Sequence, residues 1–154
     1  MLNNSISCLQ LRGVELFDNT KVICVLRDPR STWVAWQKEW VNKLGNKKWS
    51  DCKDSVGAFI ASYERCMIKF YKEYISLKKK DNILIINFED FVLDINCQKN
   101  VLKFLDLNVI DSDRCPTNML RPSQRTVFAH HNYRDIKVIT RIKNELKDYC
   151  HKSV

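Results

Sequence analysis

Between Asp54 and about Leu77 the apolar positions Val56, Phe59, Ile60, Tyr63, Met67, Phe70, Tyr74 and Leu77 advance by threes and fours. That is the period of an amphipathic helix burying one stripe, and it predicts one long helix over this segment. The Lys78-Lys79-Lys80 run suits its C-terminal dipole, and Asp81-Asn82 marks the turn that follows. On either side lie two runs with a different rhythm. Lys21-Val22-Ile23-Cys24-Val25-Leu26 and Ile83-Leu84-Ile85-Ile86-Asn87-Phe88 are almost continuously apolar and largely β-branched, as in strands covered on both faces of a parallel sheet. Two strands separated by helices can pair in parallel through a crossover, which is normally right-handed. The predicted class is α/β, a parallel sheet flanked by helices, in a single domain over residues 1–154.

Weaker patterns complete the chain. Ile6, Leu9, Val14 and Phe17 predict a helix over residues 5–17, and Asp18-Asn19 turns the chain into the first strand. After Asp28-Pro29, Ser31 or Thr32 can cap a helix carrying Trp33, Val34, Trp36, Trp40, Val41 and Leu44, which Gly45-Asn46 ends. The spacing of the three tryptophans is that of a core-facing stripe. Val101, Leu102, Phe104 and Leu105 predict a short helix, and Ile136, Ile139, Ile142 and Leu146 a terminal one. Residues 108–134 show no sustained period and hold Pro116 and Pro122, which reads as a long loop.

Composition narrows the partners. Lys and Arg number 26 against 18 Asp and Glu, a formal charge of +8, so anionic ligands are favoured. No zinc-finger, RRM or KH signature accompanies the charge, and no specific nucleic acid is expected. The seven cysteines form no C-x-x-C pair, which indicates neither a zinc site nor a disulfide framework, and no metal is expected. His130 and His131 are adjacent, lack spaced ligand partners and read as surface or loop residues. No apolar run approaches the roughly 20 residues of a membrane span.

The segment Lys21 to Ser31, a strand running into Arg27-Asp28-Pro29-Arg30, resembles the strand, Arg and helix-start motif of the sulfotransferase family. Ile83 to Asp94, a strand ending in Phe88-Glu89-Asp90-Phe91, is similar to that family's strand ending in Y-E-D-L, and Val101 to Leu107 resembles its F-L-G-L helix end. The resemblance implies a donor, 3′-phosphoadenosine 5′-phosphosulfate, with adenosine 3′,5′-bisphosphate as its product. It also implies a hydroxyl or amine acceptor and an incomplete P-loop-like sulfotransferase domain.

An arginine at the carboxyl edge of a buried parallel strand stands where α/β ligands bind, next to free N–H groups at a helix start. Arg27 therefore becomes the candidate for the 3′-phosphate, with a hydroxyl from Ser31 and added charge from Arg30. The same residues also allow a structural ion pair of Arg27 with Asp28, Glu89 or Asp90 and a plain capping role for Ser31. Phe88 replaces the family's usual Tyr, keeping an adenine-stacking face and losing a hydroxyl. Ala35 stands where cytosolic members place a serine on the phosphate, a loss of about 1.5–3 kcal/mol for one charge-assisted hydrogen bond. Arg121 and Arg125 fall where the family brings a basic segment over the 3′-phosphate, without its R-K-G motif. Glu89 and Asp90 read as helix-start carboxylates.

Sulfuryl transfer calls for cationic groups around the phosphosulfate, which the family takes from a Lys-containing loop upstream of R-D-P-R. Met1 to Thr20 contains one glycine, Gly13, and no lysine. Three readings follow: part of an active sulfotransferase completed by an N-terminal segment, an inactive nucleotide- or partner-binding relative, or an unrelated basic anion-binding module. No catalytic base is identified, and the chain by itself is expected to transfer no sulfate. Its expected location is cytoplasmic, or the Golgi lumen if an anchor precedes it.

Overall fold

The structure is a computed structural model and describes residues 11, 14–16, 19–37, 54–107 and 127–152. In chain order it runs through β1 (Val22–Leu26), α1 (Pro29–Trp36), α2 (Ser55–Ser76), β2 (Ile83–Asn87), α3 (Phe88–Leu93), α4 (Ile95–Phe104) and α5 (Ile136–Glu145). Short 3-10 turns at Lys80–Asn82, Ala129–Asn132 and Lys147–Tyr149 link these elements. The strands pair in parallel, with Val22 opposite Ile83 and Leu26 opposite Asn87. The α/β class and the parallel crossover read from the two apolar runs are therefore what the chain adopts.

The alternation of side chains along a strand divides the sheet into two faces. Val22, Cys24, Leu26, Ile83 and Ile85 pack with Leu11, Val14, Phe70, Tyr74 and Leu77 into one core. Ile23, Val25, Leu84 and Ile86 form the opposite face, where Val25 is 45% exposed. Ile23, Leu84 and Ile86 on that face are half-buried, so its cover among the described residues is partial. A second core gathers Trp33, Val34, Phe59, Ile60, Ile142 and Leu146, with Trp36, Tyr63 and Tyr149 at its margin. Helix α2 joins the two cores, because its single apolar stripe is long enough to enter both: Phe59 and Ile60 from its first turns, Phe70 near its end.

Local chemistry sets the element ends. Asp54 caps α2 by accepting from the Gly57 N–H at 2.8 Å, and Arg141 of α5 grips the same carboxylate with both terminal nitrogens at 2.8 Å. A side chain at position 57 would bring its Cβ to 2.3 Å from the Asp54 carboxylate, so a larger residue there would displace the capping carboxylate. Helix α2 stops at Ser76, and Lys78, Lys79 and Lys80 lie beyond it rather than in its last turn. Strand β2 ends one residue earlier than its apolar run suggests, since Phe88 opens α3.

The N-cap of α1 is Asp28 rather than Ser31 or Thr32. Its carboxylate accepts from the Arg30 N–H, and Pro29 occupies the first helical position, where its missing N–H costs nothing. Within the expected loop of residues 108–134, the described part begins at Val127, with Val127 and His130 buried. The predicted helix over residues 5–17 is seen in part, at Leu11 and residues 14–16. The proposed end of the tryptophan-bearing helix at Gly45-Asn46 lies outside the described residues, as does Trp40.

Candidate functional site

Strands β1 and β2 deliver their carboxyl ends side by side, and the chain leaves each into a helix. Arg27 follows β1 directly and Phe88 follows β2 directly, so the two side chains meet, the guanidinium carbon 5.0 Å from the ring centroid. A cation over an aromatic face is attracted by the ring quadrupole. Beneath the side chain the backbone of Arg27 is tied down twice. Its carbonyl accepts from the Tyr63 hydroxyl of α2 at 2.7 Å, and the N–H of the same peptide group, at Asp28, donates to Glu89 Oε1 of α3 at 3.1 Å.

Asp28 is the hub of a buried polar network. Its carboxylate accepts from Arg30 Nη2 at 2.5 Å and Arg30 Nε at 3.0 Å, and also from the backbone N–H of His151 at 3.0 Å. Arg30 Nη2 donates in addition to the His151 carbonyl at 3.2 Å. The His151 ring reaches Asp90 Oδ1 at 2.7 Å, while Asp90 Oδ2 accepts from Asn87. The segment around His151 is thereby fastened to the start of α1 and the start of α3.

These neighbours set the titration of the cluster. Burial pushes the Asp28 carboxyl up, but the hydrogen bonds and charge of Arg30 outweigh it and hold Asp28 below the ordinary carboxylate range. Burial raises the Glu89 carboxyl, and the N–H groups of Glu89 and Asp28 only partly oppose it. Glu89 is fully buried, and its second oxygen, Oε2, has no hydrogen-bond partner. For Arg27 burial lowers the pKa, with Glu89 and Asp28 acting against it. His130 falls to about 4, chiefly through burial and then through the charge of Arg30.

The sequence candidates separate in this arrangement. Arg27 and Phe88 come together at the carboxyl edge. Arg30 turns inward, as its charge required for a site role, but spends that charge on Asp28. The Ser31 side chain, expected to offer a hydroxyl to a phosphate, is fully buried. It donates to the Val127 carbonyl at 3.0 Å and lies 2.8 Å from His130 Nδ1. His130, read from sequence as a surface or loop residue, lies in a short 3-10 turn and is likewise buried. Ala35 lies on α1, half-buried, and Arg121 and Arg125 lie outside the described residues.

Several residues that build the edge were not singled out. For Asp28 the signal was present, since an Asp directly before a Pro is the signature of an N-cap and first helical position. Tyr63 was visible only as one position of an apolar stripe, and nothing near His130 or His151 marks either as a partner of residues some 100 positions earlier.

No curated protein and no solved structure matches the chain. The model of the sulfotransferase domain family matches residues 9–145, a span holding both strand motifs in one ordered alignment, so their joint occurrence is not chance. With the parallel strands and an arginine at their carboxyl edge, the match identifies the chain as a member of the sulfotransferase domain family.

Proposed function

We propose that this sulfotransferase-family chain binds the 3′-phosphoadenosine end of the donor 3′-phosphoadenosine 5′-phosphosulfate, the sulfate passing to a hydroxyl or amine acceptor. The observation that carries the reading is the meeting of Arg27 and Phe88 at adjoining carboxyl ends of two parallel strands. Such edges are where α/β folds receive nucleotides. Arg27 supplies the forked donor that suits a phosphate, and Phe88 an aromatic face for the base. The nearby carboxylates do not oppose an anion at full strength, since Asp28 is neutralised by Arg30 and burial favours the protonated form of Glu89. Ser31 adds no hydroxyl, so the phosphate depends on Arg27 and on whatever backbone N–H groups the edge offers.

Isothermal titration with adenosine 3′,5′-bisphosphate and adenosine 5′-monophosphate tests this. With one guanidinium as the chief contact, the parent affinity should fall between micromolar and millimolar, about −4 to −8 kcal/mol. Arg27→Ala should weaken the bisphosphate by at least about 1.5 kcal/mol, one charge-assisted hydrogen bond. The monophosphate, which lacks the 3′ group, should bind little to either protein. Equal binding of the two nucleotides, or an indifferent but folded Arg27→Ala variant, would show that Arg27 is a structural residue.

A further inference from the structure

One peptide group at the edge of the sheet is held from both ends by side chains of different elements. The carbonyl of Arg27 accepts from Tyr63 of α2 at 2.7 Å, and the N–H of Asp28 donates to Glu89 of α3 at 3.1 Å. We infer that Tyr63 and Glu89 are positioning residues that act through the Arg27–Asp28 peptide to aim the Arg27 guanidinium at its anion. The inference rests on the anion-site reading above, and it assigns a role to two residues that touch no ligand themselves.

The geometry favours a positioning role over a simple filling of hydrogen bonds. The carbonyl and N–H of a planar trans peptide point in opposite directions, so rotation of the peptide plane breaks both contacts. Both side chains are themselves held firmly. Tyr63 is wedged between Phe59 and Tyr149, with ring centroids 5.9 and 6.0 Å away, and Glu89 is fully buried. Glu89 also directly follows Phe88, over whose ring the Arg27 guanidinium lies. One short segment of α3 therefore holds both the backbone and the side chain of Arg27. A flexible arginine loses side-chain entropy on binding, and a fixed backbone with a ring beneath the guanidinium lowers that cost beforehand.

A double-mutant cycle on the full chain separates positioning from stability. Tyr63→Phe removes one hydroxyl from a packed ring, and its Kd for adenosine 3′,5′-bisphosphate should rise roughly three- to tenfold, as for loss of one neutral hydrogen bond. In an Arg27→Ala background the same Tyr63→Phe change should leave the residual affinity unaltered. A merely structural tyrosine would weaken both proteins equally. Glu89→Ala should show the same dependence on Arg27, and Glu89→Gln, which retains an acceptor for the Asp28 N–H, should restore most of the loss. Should Glu89→Ala fail to fold, Tyr63→Phe and Glu89→Gln carry the test.

An unchanged Kd in Tyr63→Phe, or an equal loss in both backgrounds, overturns the clamp while leaving Arg27 as the anion ligand. An Arg27→Ala variant that binds the bisphosphate as the parent does overturns the anion site, and the clamp's purpose with it.

Discussion

His130 sits against Ser31 inside the protein, and its other ring nitrogen, Nε2, is buried without a hydrogen-bond partner. The Ser31 hydroxyl has one proton, and the Val127 carbonyl can only accept it. Nδ1 of His130 must then carry the proton toward Ser31, which leaves Nε2 bare. A second proton would be placed on a buried atom with no acceptor, beside the charge of Arg30, and the pKa accordingly drops to about 4. The fold thus favours the neutral ring, so stability is complete above the unfolded value near 6.5 and declines as pH falls from there toward 4. Glu89 works in the opposite direction, because its raised pKa makes burial of its charge costlier as pH rises. Comparing urea denaturation of the parent and of His130→Asn isolates the histidine. Between pH 7.5 and 5 the parent should lose about 2 kcal/mol more than the variant, from the titration of one such group. Equal losses would mean that the ring is solvated. None of this was legible in the sequence. Adjacent histidines in an aperiodic stretch look like loop residues, and burial arises only when a segment about 100 residues downstream packs on α1. Arg27 was legible because its position depends on local order alone, a strand followed by a helix start.

At the scale of elements, α1 shows how a helix start can be specified by one residue and secured by distant ones. Asp28 caps the helix, pairs with Arg30 and receives the N–H of His151. Replacing it removes a cap and leaves a guanidinium buried without its counter-charge, the situation that costs most among ion-pair substitutions. Asp28→Ala should therefore lose about 3–5 kcal/mol in urea denaturation, as for breaking a buried pair from one side. Asp28→Ala combined with Arg30→Met should lose distinctly less, since the stranded charge is gone as well. A double variant as unstable as the single one would assign the loss to the cap. The sequence placed this helix correctly but assigned its cap to Ser31 or Thr32, because hydroxyl residues before an apolar run are the commoner signal. Asp-Pro prevailed for a steric reason: proline's fixed φ suits the first helical turn and sets the cap three residues before Ser31. Strand β2 was foreseen one residue too long for a related reason, since Phe88 is apolar enough to continue a strand yet begins α3.

Across the whole molecule the two cores share a single long helix, and neither can loosen alone without disturbing α2. Phe70 is fully buried in the core beneath the sheet, whereas Trp33 and Trp36 belong to the other core. Phe70→Ala should remove about 3–5 kcal/mol through lost burial and a residual cavity. If the molecule unfolds as one unit, tryptophan fluorescence should report this loss in full, although the cavity lies in the other core. A tryptophan transition that stays at the parent midpoint would show two independent cores. This architecture was largely readable in advance, because the stripe of α2 and the two strand runs are strong periodic signals. Which part of the stripe serves which core was not, since that depends on how α1 and α5 pack around its first turns. The tie between His151 and Asp28 also bears on the order of events during synthesis. On the ribosome 122 residues are added between Asp28 and His151. Until His151 is made, the carboxylate of Asp28 has Arg30 but not its later backbone partner. The candidate nucleotide edge is therefore begun well before it is completed, and the nascent chain carries an unfinished site while the intervening residues are made.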